Sequence, residues 1–194
     1  QAIVSDGTDL SWGSAGASTI NDLTDALVEN NSIWLGNDPT SATDTAASNV
    51  AVGISALGVV TTGDDCIAIG HNSLATMTTG SHNTAVGSGS ALALTTATHN
   101  TGVGSNSLRF TTTGNTNTAL GYYSLFANTT GSANTAVGKE ALAANTTALY
   151  NVAVGDGALL VNTTGANNTG VGRKSLAANT TGANNVAVGY LALD

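Results

Sequence analysis

Apolar and polar positions follow a 17-residue period from Ser32 to the end of the chain. Ten copies align without insertion or deletion on the segment Asn-Thr-Ala-Val-Gly, and they begin at Ser32, Asn49, Cys66, Asn83, Asn100, Asn117, Asn134, Asn151, Asn168 and Asn185. Such a fixed period is typical of units that stack on one another. We call each copy a rung and number its positions 1 to 17.

Two apolar columns predict the core, and one glycine column predicts a corner. Position 4 is Val, Ile or Leu in every rung, and position 9 is Leu except for Thr40 and Ala91. Position 5 is always glycine, which indicates a place that a Cβ would obstruct. The predicted core is represented by Val52, Leu57, Val137, Leu142, Val154, Leu159, Val171 and Leu176. The predicted corners are Gly53, Gly70, Gly87, Gly104, Gly121, Gly138, Gly155, Gly172 and Gly189.

These elements predict an all-β fold, a parallel β-solenoid (β-roll) of ten rungs over residues 32–194. Seventeen residues are too few for a helix pair, which needs about 34, and Val, Thr, Asn and Gly are poor helix formers. A second turn is expected at the Thr-Thr-Gly of positions 13 to 15. With strands about 4.8 Å apart, ten rungs give a rod about 48 Å long.

Residues 1–31 do not follow the 17-residue repeat and are predicted to be a cap or trimerisation segment. Val4 to Trp12 reads as a small hairpin with an Asp-Gly turn. A capping-box pattern and apolar residues at helical spacing predict a short helix from Thr19, through Ile20, Asp22, Leu23, Leu27 and Val28. An open end of stacked strands invites further pairing, so a cap is expected there. Its predicted members are Trp12, Leu23, Leu27 and Trp34.

The predicted interior is thin. One Val and one Leu per rung contribute about 1.5–3 kcal/mol each, whereas ordering the backbone costs about 1–2 kcal/mol per residue. Position 3 is Ala or Gly after the first rung, and position 8 is Ala or Ser. These small columns fit either a very flat coil or the close approach of another chain. We favour the second alternative and expect a homotrimer.

Composition excludes several classes of protein. Only 8% of residues are charged and 4% aromatic while 41% are hydrophobic, which fits neither an ordinary enzyme domain nor a disordered chain. The net charge of −8 argues against nucleic acid as a partner. No apolar run reaches the roughly 18 residues of a membrane span. The single cysteine, Cys66, is expected to be a small buried side chain, and the incomplete tenth rung suggests a piece of a longer fibre.

Few residues are candidates for chemistry. Asp65, His82 and His99 occupy position 17 of consecutive rungs and are weak candidates for a metal site, although a solvated turn is the preferred interpretation. Tyr122, Tyr123 and Phe126 form an aromatic group on one rung. They are the best candidates for contact with a receptor or partner, with packing against a neighbouring subunit as the alternative. No cofactor and no enzymatic activity are predicted.

Two further patterns are predicted to support the stack. At position 6, Lys139, Asp156 and Arg173 alternate in sign and suggest a surface ion ladder. Asparagine fills position 1 in most rungs and position 12 in the later ones, which predicts buried ladders of amides. The Asn-x-Thr sequences that begin at position 12 are therefore interpreted as part of a ladder rather than as glycosylation sites: Asn128, Asn145, Asn162 and Asn179.

The unit Asn-Thr-Ala-Val-Gly-x-x-Ala-Leu-x-x-Asn-Thr-Thr-Gly, nearly complete in residues 134–147 and 151–165, resembles repeats of bacteriophage tail-fibre and related virion proteins. Residues 18–25 resemble a segment of the same fibres. The rung also resembles the shorter head repeats of trimeric autotransporter adhesins, which are left-handed parallel β-rolls packed as trimers. The resemblance covers the ten rungs. It implies that the protein is part of a virion, that its partners are other fibre or baseplate proteins, and that its receptor is a host glycan or protein.

The function that these observations favour is a rigid trimeric rod in a phage virion, for host attachment or display. A bacterial trimeric surface adhesin is the alternative. An ice-binding or carbohydrate-binding solenoid is a further one, but adjacent threonines at positions 13 and 14 should point to opposite faces. A depolymerase would need two carboxylates facing a groove, whereas Glu140 and Asp156 lie beside bases.

Overall fold

A computed structural model describes residues 3–5, 10–12, 26–29, 32–36 and 45–194. All regular elements among these residues are strands. β1 (Ile3–Ser5) and β2 (Leu10–Trp12) form an antiparallel pair in which Ile3 lies opposite Trp12. This pairing agrees with the strands of the predicted hairpin, whose Asp-Gly turn lies outside the described residues.

The second sheet contains eleven strands. β3 (Ala26–Glu29) pairs antiparallel with β4 (Ser32–Gly36), and the later strands follow in chain order, each parallel to the one before it. Thr135 pairs with Val152 and Ala136 with Ala153, so the register advances by one 17-residue rung per strand. The predicted parallel β-solenoid is confirmed. Its remaining strands are β5 (Val50–Gly53), β6 (Ile67–Ile69), β7 (Thr84–Val86), β8 (Thr101–Val103), β9 (Thr118–Leu120), β10 (Thr135–Val137), β11 (Val152–Val154), β12 (Thr169–Val171) and β13 (Val186–Val188).

The predicted short helix is wrong where the structure describes it. Residues 26–29 form the edge strand β3, with Leu27 opposite Trp34 and Val28 opposite Ile33. An isolated helix of this length is marginal, whereas a neighbouring strand edge offers a ladder of hydrogen bonds. The earlier part of that prediction, including Leu23, lies outside the described residues. So do the side chains of Trp12 and Leu27.

The core prediction is confirmed at position 9 and wrong at position 4. Leu57, Leu142 and Leu159 are fully buried, and Leu176 is 4% exposed. The position 4 side chains lie on the outer surface of the sheet and are half-exposed: Val52, Val137, Val154 and Val171. Successive residues of a strand point to opposite sides, and position 3 points inward, so position 4 must point outward.

The small residues of positions 3 and 8 face each other across the interior. Ala119 and Ala136 at position 3 are fully buried, as are Ser124 and Ala141 at position 8. A Cβ added to Gly102 would lie 2.8 Å from Oγ of Ser90 and 3.0 Å from Oγ of Ser107. The coil is therefore flat, and the expectation that another chain approaches these two columns is wrong. Ala and Ser are needed because two walls of the same chain meet there.

The glycine column forms the predicted corner. Gly121 has φ +142°, and a Cβ on it would lie 2.6 Å from the carbonyl carbon of Gly138 in the next rung. Both the backbone conformation and the close stacking of corners therefore require glycine. The other position 5 glycines from Gly53 to Gly189 have φ between +126° and +134°.

Each complete rung also places residues other than glycine in the left-handed region. Glu140, Leu142 and Tyr150, at positions 7, 9 and 17, have φ of 57°, 51° and 59°. Such a conformation costs about 1–3 kcal/mol for a residue with a side chain. It persists because the stack holds it: the N–H of Leu142 donates to the carbonyl of Ala158 in the next rung at 3.0 Å.

Two buried amide ladders run along the coil, as the sequence predicts. At position 1, the N–H of Asn117 donates to Oδ1 of Asn100 at 2.9 Å, and its Nδ2 donates to the carbonyl of Gly131 at 2.9 Å. At position 12, Nδ2 of Asn145 donates to Oδ1 of Asn128 at 2.8 Å. Asn128, Asn145 and Asn162 are completely buried, so the ladder occupies the amides that glycosylation would need.

Candidate functional site

Charge is confined to the corners of the solenoid. Among residues 45–194, every Asp, Glu, Lys and Arg except Arg109 and Asp194 occupies positions 6, 7, 16 or 17. The broad surfaces between these corners carry the apolar and threonine side chains. Two features of those surfaces are candidates for function.

The first is the outer surface of strands β4 to β13, which we call the sheet face. It consists of positions 2 and 4, and it carries no charged residue in ten strands. Leu35, Ile69, Val103 and Leu120 are 41%, 40%, 39% and 37% exposed. Position 4 contributes Leu35, Val52, Ile69, Val86, Val103, Leu120, Val137, Val154, Val171 and Val188. Position 2 contributes Ile33, Val50, Ile67, Thr84, Thr101, Thr118, Thr135, Val152, Thr169 and Val186.

The sheet face is uncharged and largely apolar: all ten residues at position 4 and five of the ten at position 2 are Val, Ile or Leu, and the other five are Thr. Ten strands about 4.8 Å apart, each about 10 Å long, give a projected area of roughly 480 Å². A patch of this size is comparable with the largest apolar patch on a typical soluble monomer, which is often a functional surface. Burial of Val, Ile and Leu here releases hydrating water and leaves no charge unpaired, which favours contact with another apolar surface.

The second feature is a group of rings on the opposite side of the corner, which we call the aromatic cluster. The Tyr122 and Tyr123 ring centroids are 4.3 Å apart, and Tyr123 stacks on Phe126 at 4.3 Å. Phe110, from the preceding rung, meets the Phe126 ring edge-on at 4.9 Å. The guanidinium of Arg109 lies 5.7 Å from the Phe110 centroid. The cluster thus comprises Arg109, Phe110, Tyr122, Tyr123 and Phe126.

Sequence reasoning found three of these residues and missed Arg109 and Phe110. These two occupy positions 10 and 11 of one rung, and Phe126 occupies position 10 of the next, so the repeat register places them side by side. Reading the columns at positions 10 and 11 would have found them. Phe110 is 44% exposed and Tyr122 is 49% exposed, while Leu108 and Leu125 beneath them fill the core.

Polar groups border the aromatic cluster on two sides, one on the rung of Arg109 and one on the rung that follows Tyr122. On one side, Arg109 donates from its guanidinium to Oδ1 of Asn106, and Nδ2 of Asn106 donates to Oγ of Ser105 at 3.2 Å. On the other side, Lys139 pairs with Glu140 at 3.3 Å. The pKa of Tyr122 is raised, chiefly because its phenol hydrogen bonds to Tyr123. The cluster is therefore a set of two exposed and two half-buried rings between hydrogen-bond donors and acceptors.

The position 17 column, Asp65, His82 and His99, does not form a metal site. Nδ1 of His82 lies 3.5 Å from Oδ2 of Asp65, and the His82 and His99 rings are 4.8 Å apart. The three residues are neighbours, but the His99 ring lies against the His82 ring. Among the described residues, no group of three or more His, Cys, Asp or Glu side chains is placed to hold a metal ion.

The predicted ion ladder at position 6 forms only in part. Nε of Arg173 lies 3.4 Å from Oδ2 of Asp156, and its guanidinium also lies over the Tyr190 ring at 5.5 Å. Lys139 pairs with Glu140 on its own rung instead of with Asp156. These groups are all solvent-accessible, so the pairs contribute little to stability.

The threonine pair of positions 13 and 14 divides as expected from the sequence. The hydroxyl of Thr146 donates to the carbonyl of Thr163 in the next rung at 3.1 Å, whereas its neighbour Thr147 is exposed. Only the threonine at position 14 of each rung is therefore available for contact with a ligand, and successive members of this column are one rung apart.

Cys66 occupies the buried asparagine column, as expected for a small interior side chain. Its Sγ lies 3.2 Å from the carbonyl of Asp64, and the N–H of Asn83 points at it from 3.5 Å. Burial raises the pKa of the thiol, because the thiolate would lose its hydration.

Comparison of the chain with protein-family models, with curated proteins and with solved structures gave no match. No helix in the described part of the chain is long and apolar enough to cross a membrane.

Proposed function

We propose that this chain is a structural segment of a fibre in a bacteriophage virion, a rigid trimeric rod for host attachment or display. Its partners would be two further copies of itself and other fibre or baseplate proteins. The observation that supports this proposal most strongly is the sheet face, an apolar surface without charge along ten strands.

Three narrow sheet faces that turn toward one axis would form a three-sided apolar core along the fibre. The charged corners would remain in solvent, because they flank the sheet face rather than interrupt it. Since every rung repeats with the same 17-residue register, three copies would present matching side chains at each level. The resemblance of the rung to tail-fibre repeats and to the trimeric adhesin head points to the same arrangement.

Rigidity would come from the backbone. Successive rungs are joined through strand pairing, through position 9 and through both amide ladders. Bending the rod would require many of these bonds to lengthen together.

The test is a double substitution on the sheet face, Val103→Lys with Leu120→Lys. Two lysines on adjacent strands would place six charges in the proposed three-chain core, and burial of unpaired charge is strongly unfavourable. We expect the double variant to sediment as a folded monomer. The control is Thr113→Lys with Thr130→Lys, which changes two exposed threonines on adjacent rungs, both at position 14 and away from the sheet face. An unchanged trimer in the sheet-face variant would contradict this assignment.

A further inference from the structure

The aromatic cluster is not needed to build the solenoid. Other rungs carry small or polar residues at most of the same positions, such as Ser88, Gly89 and Ala93 in the fourth rung, and they stack in the same register. Rings left 44% and 49% exposed lose the favourable free energy of burial that aromatic side chains normally gain. Their grouping on two adjacent rungs therefore indicates a binding site.

The surroundings of the rings restrict the chemistry of that ligand. Arg109 and Lys139 donate, the Glu140 carboxylate and the Asn106 amide oxygen accept, and the tyrosine hydroxyls do both. A pyranose has the matching character, since its C–H groups form an apolar patch and its hydroxyls both donate and accept. The rings would pack against the C–H patch, and the polar border would bind the hydroxyls.

Other ligands fit less well. A nucleic acid would also stack on aromatic rings, but it needs a positively charged groove for its phosphates. Here Lys139 is paired with Glu140 at 3.3 Å, which leaves Arg109 as the one uncompensated cation beside the rings among the described residues. An amphipathic helix of a protein partner needs a long apolar groove, whereas the rings cover only two rungs and have polar residues on either side.

We propose that the aromatic cluster is a binding site for a neutral pyranose unit of a glycan, with Phe110, Tyr122, Tyr123 and Phe126 as the stacking platform and Arg109 as the main hydrogen-bond donor. Through such a site the proposed rod would contact the glycans of a host surface, and this role of the site rests on the proposed function. A single platform of this kind binds weakly, and three chains in one fibre would raise the effective affinity by multivalency.

The experiment is saturation-transfer NMR of the native protein with two neutral probes, cellotetraose and a β-1,4-linked galactotetraose, at millimolar concentration. We expect saturation of the pyranose C–H protons of at least one probe. Tyr122→Ala and Phe110→Ala should each weaken binding about fivefold to tenfold, a factor that corresponds to about 1–1.4 kcal/mol. The control is Tyr150→Ala, which removes a 62% exposed tyrosine outside the cluster.

Two outcomes would overturn the saccharide site. One is the absence of transfer to both probes, which would leave a protein as the partner of the rings. The other is dissociation of the oligomer by Phe110→Ala, which would make the rings a contact between subunits. Sedimentation of the same samples reports the state of the rod separately, so a failed saccharide site and a failed trimer can be distinguished.

Discussion

The main-chain N–H of Asn83 donates to the sulfur of Cys66 at 3.5 Å, where the rungs that follow place an asparagine oxygen at 2.9 Å. Thiol sulfur is a weak acceptor. Cys66 therefore makes one weak link in the position 1 ladder, although its own N–H still donates to Oδ1 of Asn49 at 2.9 Å.

Cys66→Asn should stabilise the protein by about 1 kcal/mol, because it replaces a weak acceptor with an amide oxygen. The new Nδ2 would also reach the carbonyl of Gly80, which lies 3.6 Å from the present sulfur. Thermal unfolding should show a rise in Tm of about 2–4 °C. Cys66→Ala is the control and should destabilise, since it leaves the buried N–H of Asn83 without an acceptor. A Cys66→Asn variant less stable than the parent would refute this account of the ladder.

The free energy of unfolding should fall as the pH rises above about 8.5, which is the ordinary pKa of a cysteine thiol. In that range the unfolded chain loses the Cys66 proton while the folded chain, whose thiol pKa is raised, retains it. The folded state then binds more protons, so the free energy of unfolding decreases with pH. Urea unfolding at pH 7.5 and 9.5 measures the effect, and comparison with Cys66→Asn isolates the thiol. An equal decrease in both proteins would assign it to other groups.

Gly121→Val should destabilise the rod by more than about 3 kcal/mol. The valine would combine a strained φ with a contact against the Gly138 backbone in the next rung. Gly157→Asn is the matched control, because Gly157 has φ +63° and a Cβ there would meet only Cγ of Lys174, at 3.6 Å. Asparagine tolerates that conformation and stands at the equivalent positions Asn72 and Asn106. Equal thermal stability of the two variants would mean that the corner is misassigned.

The position 12 ladder should respond non-additively to substitution. Asn145→Leu alone removes the donor to Asn128 and the acceptor of Asn162, and it should cost about 1–3 kcal/mol. Replacing the whole column by leucine should cost far less than four times as much, because the paired amides are removed together. Only Thr111, whose Oγ1 accepts from Nδ2 of Asn128 at 3.2 Å, then loses a partner. The earlier rungs already carry Val60, Met77 and Leu94 there. The column comprises Asn128, Asn145, Asn162 and Asn179. Denaturant unfolding of the single and quadruple variants measures the difference, and strictly additive losses would exclude coupling along the ladder.

Trp34 should be replaceable by phenylalanine but not by alanine. It is 1% exposed at position 3 of the first rung, and its Nε1 has no hydrogen-bond partner among the described residues. Trp34→Phe removes that unsatisfied donor and should change stability by less than about 1 kcal/mol. Trp34→Ala should cost about 3–5 kcal/mol. Similar losses in both variants would show that the indole N–H is bound after all.

The 17-residue period was enough to predict the rungs, the glycine corner, the inward leucine of position 9 and both amide ladders, since each depends only on stacking in register. The orientation of the strand was not predictable in the same way. The branched residues at position 4 are more apolar than the Ala at position 3, yet it is position 3 that points inward. In the sixth rung Ala119 is buried and Leu120 faces outward, because the flat interior has no space for the larger side chain.

The helix over Leu27 and Val28 was mispredicted because local spacing carries no information about a free strand edge nearby. The aromatic cluster was found only in part, since Phe110 and Phe126 meet across two rungs rather than along the sequence. Both errors concern contacts that the fold creates between distant residues.

The central claim, that the sheet face joins three chains, is tested most directly by the mass of the native particle from light scattering at several concentrations. One chain has a mass of 19.0 kDa. We expect a particle of three times that mass, independent of dilution over the range of a stable complex. A particle with the mass of a single chain at every concentration would contradict the claim and would leave the sheet face without its proposed occupant.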